Sequence, residues 1–229
     1  MADHQLIVGR LSEVWAPLAD EAQAHKMSAY LKDQFDFLGI PAPDRRRAQN
    51  GVLAELKTAD ISDVLNAADL CWAEPQREFH YAATDLLRSN ARRLGIEHLD
   101  RIESLIRTQS WWDTVDTLAV HVVGRIGRTD RAVGDRMDRW IEDSDLWIAR
   151  TAILHQLDWK EATDQRRLFA YVRRRCADEE FFIRKALGWA LRTYSRTNPE
   201  AVRDFAATDA ATWSGLTYRE ATRLLPEPT

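Results

Sequence analysis

The sequence predicts an all-α fold made of stacked helical hairpins, and three observations carry that expectation. Apolar residues recur at helical spacing in nearly every segment, and no stretch alternates with period two. Only 9 glycines and 7 prolines punctuate the 229 residues, mostly at gaps such as Gly39-Ile40-Pro41-Ala42-Pro43, Gly95 and Asn198-Pro199. At typical lengths this leaves about ten to thirteen helices. Finally, helix-opening segments recur: LWIARTAILHQL (146–157) aligns with FFIRKALGWALR (181–192) at an offset of 35 residues.

Stepping back 35 residues from Trp147 reaches Trp112, and REFHYAATDLL (77–87) lies near the next step. A period of this size marks repeats that bury a continuous core only through neighbour contact. Tetratricopeptide repeats have a similar period, but their Trp…Leu-Gly…Tyr signature is missing. Irregular HEAT-like hairpins fit better. The expected architecture is a curved superhelical solenoid with a concave binding groove, formed as one domain over residues 1–229.

Composition narrows the function. The chain is 45% hydrophobic with a mean hydropathy of −0.45, ordinary for a soluble globular protein. No apolar run approaches the roughly 20 residues needed to span a bilayer. The N-terminus lacks the basic and apolar regions of a signal peptide. Cys71 and Cys176 stand far apart without ligand spacing, which suits a reducing cytoplasm. A net charge of −4 argues against nucleic acid as a partner, but a basic stripe on one face matters more than the total. Of the 32 basic residues 27 are arginine, clustered at Arg45–Arg47, Arg92–Arg93 and Arg173–Arg175. Arginine grips phosphate through a bidentate fork; solvated helix faces are the plainer explanation.

The segment SWWDTVD (110–116) carries the chemistry. Ser110 and Asp113 match a capping box, with Ser110 as N-cap. Trp111, Val115, Leu118 and Val122 then form the core stripe, with Asp113 roughly opposite. Trp112 and Asp116, one turn apart, share the shoulder about 60–100° from the centre of that stripe. Asp116 is too far into the helix to cap it, so it is either an ion-paired acid or a functional one. In DLWIARTAILHQL (145–157), Leu146, Ile153 and Leu157 define the core, and Arg150 sits beside it with Trp147 nearby. A guanidinium there must be paired or face a ligand. An ion pair with an acid such as Asp116 and a contact to phosphate are the two options. One repeat on, Phe182, Lys185 and Trp189 share the same shoulder. A lone Trp189 is ordinary core, but three repeats with tryptophan and charge in phase describe one wall. No HExxH, paired CxxC, P-loop, GxGxxG or GxSxG occurs, and the 6 histidines lack ligand spacing, so neither a metal nor a nucleotide cofactor is expected.

SWWDTVD, DLWIARTAILHQL and EFFIRKALGWALRTYSRTNP (180–199) resemble the AlkD-type DNA alkylation-repair glycosylases, a family of HEAT-like repeat proteins. MSAYLKDQFDFLGIPAPDRR (27–46) and LTYREATRLL (216–225) extend the likeness over most of the chain. The resemblance implies hydrolysis of the N-glycosidic bond of cationic N3- or N7-alkylated purines in duplex DNA; a monomer is the simplest assumption, since the sequence is silent on oligomeric state. It implies that Asp116 is the catalytic aspartate, that Trp112 and Trp189 are active-site tryptophans, and that Arg150 is a groove arginine. Tyr30 matches a further groove aromatic. Two other readings remain: a non-catalytic protein binding distorted DNA, and a scaffold for protein partners.

Overall fold

The computed structural model describes residues 6–225. Among these the chain is helical throughout, and the sole extended pairing is an isolated bridge between Asp36 and Gln76. It divides into two compact units, with the boundary between Leu94 and Gly95. No helix among the described residues is long and apolar enough to cross a membrane.

The first unit holds α1 (Ile7–Trp15), α2 (Glu21–Tyr30), α3 (Ala42–Ala54), α4 (Ile61–Trp72) and α5 (Arg77–Asn90). α1 buries Ile7, Leu11 and Trp15, an i, i+4, i+8 stripe, against α3 and α4. Beneath this lies a polar centre. The buried Glu78 carboxylate accepts the backbone N–H groups of Leu38, Gly39 and Ile40 at 2.9, 3.0 and 3.1 Å. That fixes the loop before α3. Gly39 in this loop has φ +84°, and a Cβ there would lie 1.9 Å from the Asp20 carbonyl oxygen, so only glycine fits.

The second unit begins with α6 (Leu99–Arg107). α7 (Trp112–Thr117), a π segment (Leu118–Val123) and α8 (Gly124–Thr129) follow and run on as one rod. α9 (Val133–Trp140), α10 (Leu146–Leu154), α11 (Gln165–Arg175), α12 (Phe181–Tyr194), α13 (Pro199–Asp209) and α14 (Gly215–Thr222) complete it. Counting the rod once gives thirteen helices among the described residues. Caps set many of the starts: Asp145, Asp164, Asn198 and Ser214 each accept a backbone N–H two or three residues on.

The repeat is visible in the helix starts. α5, α7, α10, α12 and α14 begin at 77, 112, 146, 181 and 215, steps of 34 or 35 residues. Side chains one repeat apart hold neighbours together in the second unit. Arg107 reaches Asp143, Arg136 reaches Asp100 and Glu103, Arg173 reaches Asp209, and Lys185 reaches Glu220. Arg174 pairs with Glu142, and Arg175 bonds the Ile141 carbonyl at 3.2 Å. The run Arg173–Arg175 is therefore engaged with acids and carbonyls of neighbouring segments.

Candidate active site

Asp116 lies in the last turn of α7, and the start of that helix differs from its expected form. The N-cap is Trp111, which makes no side-chain cap. Ser110 instead donates its hydroxyl to the Ile106 carbonyl at 2.6 Å, closing the end of α6. A serine hydroxyl can bond back to the preceding turn as readily as cap the next one. Val115, Leu118 and Val122 are buried as the core stripe requires, whereas Trp111 is only half-buried.

α10 packs against both α7 and α12. Every residue from Trp147 to Gln156 is buried, so the helix is enclosed all round instead of along the narrow stripe of Leu146, Ile153 and Leu157. Leu146 and Leu157 are in fact the half-exposed ends. Arg150 is thus enclosed, with its side chain 4% exposed. Its guanidinium meets Asp116 as a two-pronged fork: Nε donates to Oδ1 at 2.7 Å and Nη2 to Oδ2 at 2.8 Å. Nη1 donates to the backbone carbonyl of Phe182, so one arginine ties α7, α10 and the first turn of α12 together. The Asp116 side chain keeps 16% of its surface accessible. Each carboxylate oxygen retains a lone pair beyond the arginine contact. Burial pushes the Asp116 carboxyl above the usual carboxylate range; Arg150 pulls the other way, and Asp113 adds to the rise.

Three rings cluster on the Arg150 side of this pair. Trp147 and Phe182 lie 4.9 Å apart, Trp111 and Phe182 5.2 Å, and Trp111 and Trp147 5.6 Å. The Arg150 guanidinium carbon is 5.9 Å from the Phe182 ring centroid. Of the residues named from sequence, the structure therefore brings Asp116, Arg150, Trp147 and Phe182 together. Trp112 is half-buried one turn before Asp116. Trp189 is half-buried on the same face of α12 as Phe182, two turns further on. Lys185, between them, turns to α14, where Glu220 accepts it at 2.6 Å and also holds Arg192. Tyr30 belongs to the first unit, 71% exposed at the edge of a cleft of about 230 Å³ with Phe37 and Tyr81.

A sequence model of the family described as DNA alkylation repair enzyme matches residues 12–225. The chain belongs to that family. A solved structure described as a predicted DNA alkylation repair enzyme from Enterococcus faecalis resembles it with a TM-score of 0.85 and 31% sequence identity. The match covers 92% of this chain and 98% of that one. No curated protein matches the sequence.

Within this family member, sequence reasoning missed Trp111 and the Phe182 carbonyl. Trp111 was placed in the core, although the doubled tryptophan was a signal that one ring stands at the site's edge. A backbone carbonyl leaves no trace in residue identity.

Proposed function

We propose that the protein is a DNA glycosylase that hydrolyses the N-glycosidic bond of cationic N3- or N7-alkylated purines in duplex DNA. The observation that carries this reading is the Asp116 carboxylate, part-open and fixed in direction by a single arginine whose guanidinium lies 5.9 Å from the Phe182 ring. Alkylation at N3 or N7 leaves the purine positively charged. It departs as a neutral base when the glycosidic electron pair collapses onto the ring, so no general acid is required. One carboxylate then suffices where ordinary glycoside hydrolysis uses two. Positive charge builds on the deoxyribose as the bond breaks. Asp116 stabilises it and orients the water whose oxygen bonds C1′, and the water proton passes to solvent by way of the carboxylate. Trp112 and Trp189 hold the sugar, and their ring faces favour the positive charge.

The pairing also suggests a different task for Arg150 from contact with phosphate. Its fork is occupied by Asp116 and the Phe182 carbonyl. It acts as a positioning residue that keeps the acid ionised against the cost of burial. The same bidentate geometry would equally suit a structural ion pair in a protein that only binds DNA, and that is the rival reading.

Incubation with methylated duplex DNA and chromatography of released bases separates the two. Wild-type protein releases 3-methyladenine or 7-methylguanine. Asp116→Asn lowers the rate by about 10²–10³-fold, with duplex affinity roughly intact. A wild-type protein that binds DNA but frees no base leaves the binding-only reading.

A further inference from the structure

We infer that a DNA phosphate track runs from Asp116 along the second unit's rod and continues over Lys160 and Arg196; this deepens the glycosylase reading and rests on it. Three observations in that unit carry it.

The first is the accessible stripe of the rod. Leu118, Ala119, Val120, Val122, Val123, Gly124, Ile126 and Gly127 are buried. Solvent reaches Trp112, Asp116, His121, Arg125 and Arg128. The π segment sets this register. Its hydrogen bonds close over five residues, as in Gly124 N–H to the Ala119 carbonyl. Asp116 is therefore followed in phase by position 121; an α-helical register would make it Val120, which is buried.

The second is freedom. Among the described residues the side chains of Arg125 and Arg128, and across the adjoining loop those of Lys160 and Arg196, make no hydrogen bond or ion pair with protein. Most arginines of the clusters 45–47 and 173–175 are tied to carboxylates. An unpaired cation keeps its whole charge for an external anion.

The third is that these cations line adjoining hollows. One, of about 150 Å³, is lined by His121, Arg125, Arg128 and Asp158. Another, of about 350 Å³, is lined by Asp158, Lys160, Glu161 and Arg196. Hydroxyls of Thr193 and Thr197 add donors there. Asp158, common to both, lies 3.3 Å from His121, and Glu161 is the other carboxylate. From Asp116 to Arg128 the rod rises about 18 Å, or 12 residues. That matches about five phosphates of one strand, spaced about 3.4 Å along the duplex axis.

The test measures binding of an undamaged duplex by fluorescence anisotropy over a salt series. Each phosphate contact contributes about 0.9 to the slope of log K against log salt. The variant Arg125→Gln/Arg128→Gln/Lys160→Gln/Arg196→Gln should lower the slope by about three to four. Arg125→Gln and Lys160→Gln alone should lower it by about one each, which keeps the test open should the fourfold variant fold poorly. Arg173→Gln/Arg174→Gln, which breaks the pairs to Asp209 and Glu142 and the Arg173 contact with the Phe205 ring, should leave the slope unchanged. An unchanged slope in the fourfold and single variants, with wild-type protein still releasing methylated bases, overturns the track and spares the glycosylase reading. A wild-type protein that binds no duplex overturns both.

Discussion

Each unit contains a buried arginine forked or bonded to an aspartate, and by exposure these two pairs are twins. Arg45 and Asp85 in the first unit are 4% and 18% exposed; Arg150 and Asp116 in the second are 4% and 16%. Their bonding differs. Arg45 gives only Nη2 to Asp85, at 2.9 Å, and its Nε is buried without a partner. The same Asp85 oxygen also accepts Gln49 at 2.9 Å and has Arg46 at 3.7 Å. Asp85 is over-supplied with donors, and burial acts on the cation, pulling the Arg45 guanidinium below its ordinary value. Asp116 has one arginine and a neighbouring acid, and there burial acts on the carboxyl and pushes it up. An anion surrounded by donors has no reason to respond to a new positive charge. An anion held in direction but under-compensated does. Equal burial thus separates a structural acid from a reactive one only when the partners are counted.

The largest expected effect falls on the structural pair. Asp85→Ala leaves Arg45 buried and uncompensated, a loss of about 3–5 kcal/mol. For a chain of this size that lowers the melting temperature by roughly 6–20 °C. Base release assayed below the transition should match wild type within a few-fold. A fall in base release with stability retained would reverse the roles given to the two aspartates.

The next effect concerns how Arg150 serves Asp116. The proposed mechanism requires the ionised carboxylate, so base release should fall on acidification, with a midpoint above the ordinary aspartate value of about 3.9. Arg150→Gln removes the opposing pull and should move that acid limb to higher pH, with a loss on the order of tenfold at neutral pH. Arg150→Lys restores charge without the fork and should recover only part of the rate. An arginine needed only for folding would leave the limb in place in whatever protein remained folded. The profile must be read beside a melt at each pH. Burial holds the His155 imidazole down to about 4, well below its ordinary value of about 6.5. Its contribution to stability is full above about 6.5 and drains as pH falls towards about 4, because the unfolded chain binds the proton first. The Asp116 contribution has the opposite sign: its raised folded value favours the fold in acid and is lost as pH rises through it.

These pairings mark how far sequence could lead. The repeat was legible because burying a helix face requires apolar spacing, and helix starts at 112, 146 and 181 follow from it. Asp116 was legible as an acid too deep to cap and Arg150 as a charge too near the core to stand alone. What hid was anything set by a second helix. Ser110 had two bonding choices of similar worth, and the end of α6 won. α10 has neighbours on every side, so burial extends from Trp147 to Gln156, well beyond the stripe that spacing suggests. The arginine clusters looked like a phosphate grip because their acids lie about 35 residues away. Only the packed repeat brings Arg173 to Asp209 or Arg174 to Glu142.

The smallest effect asks whether the first unit's α3 is scaffold alone. Gly51 sits inside this helix, two turns from Arg45, and a Cβ there meets nothing within 4 Å. Glycine in a helix interior costs about 0.5–1 kcal/mol relative to alanine. Gly51→Ala should therefore raise the melting temperature by a few degrees. If α3 only supports the buried pair, base release should be unchanged, and the gain should add to the Asp85→Ala loss within about 0.5 kcal/mol. A stabilised Gly51→Ala protein with altered base release would mean that motion of α3 enters the reaction. The first unit's pair could then no longer be called structural.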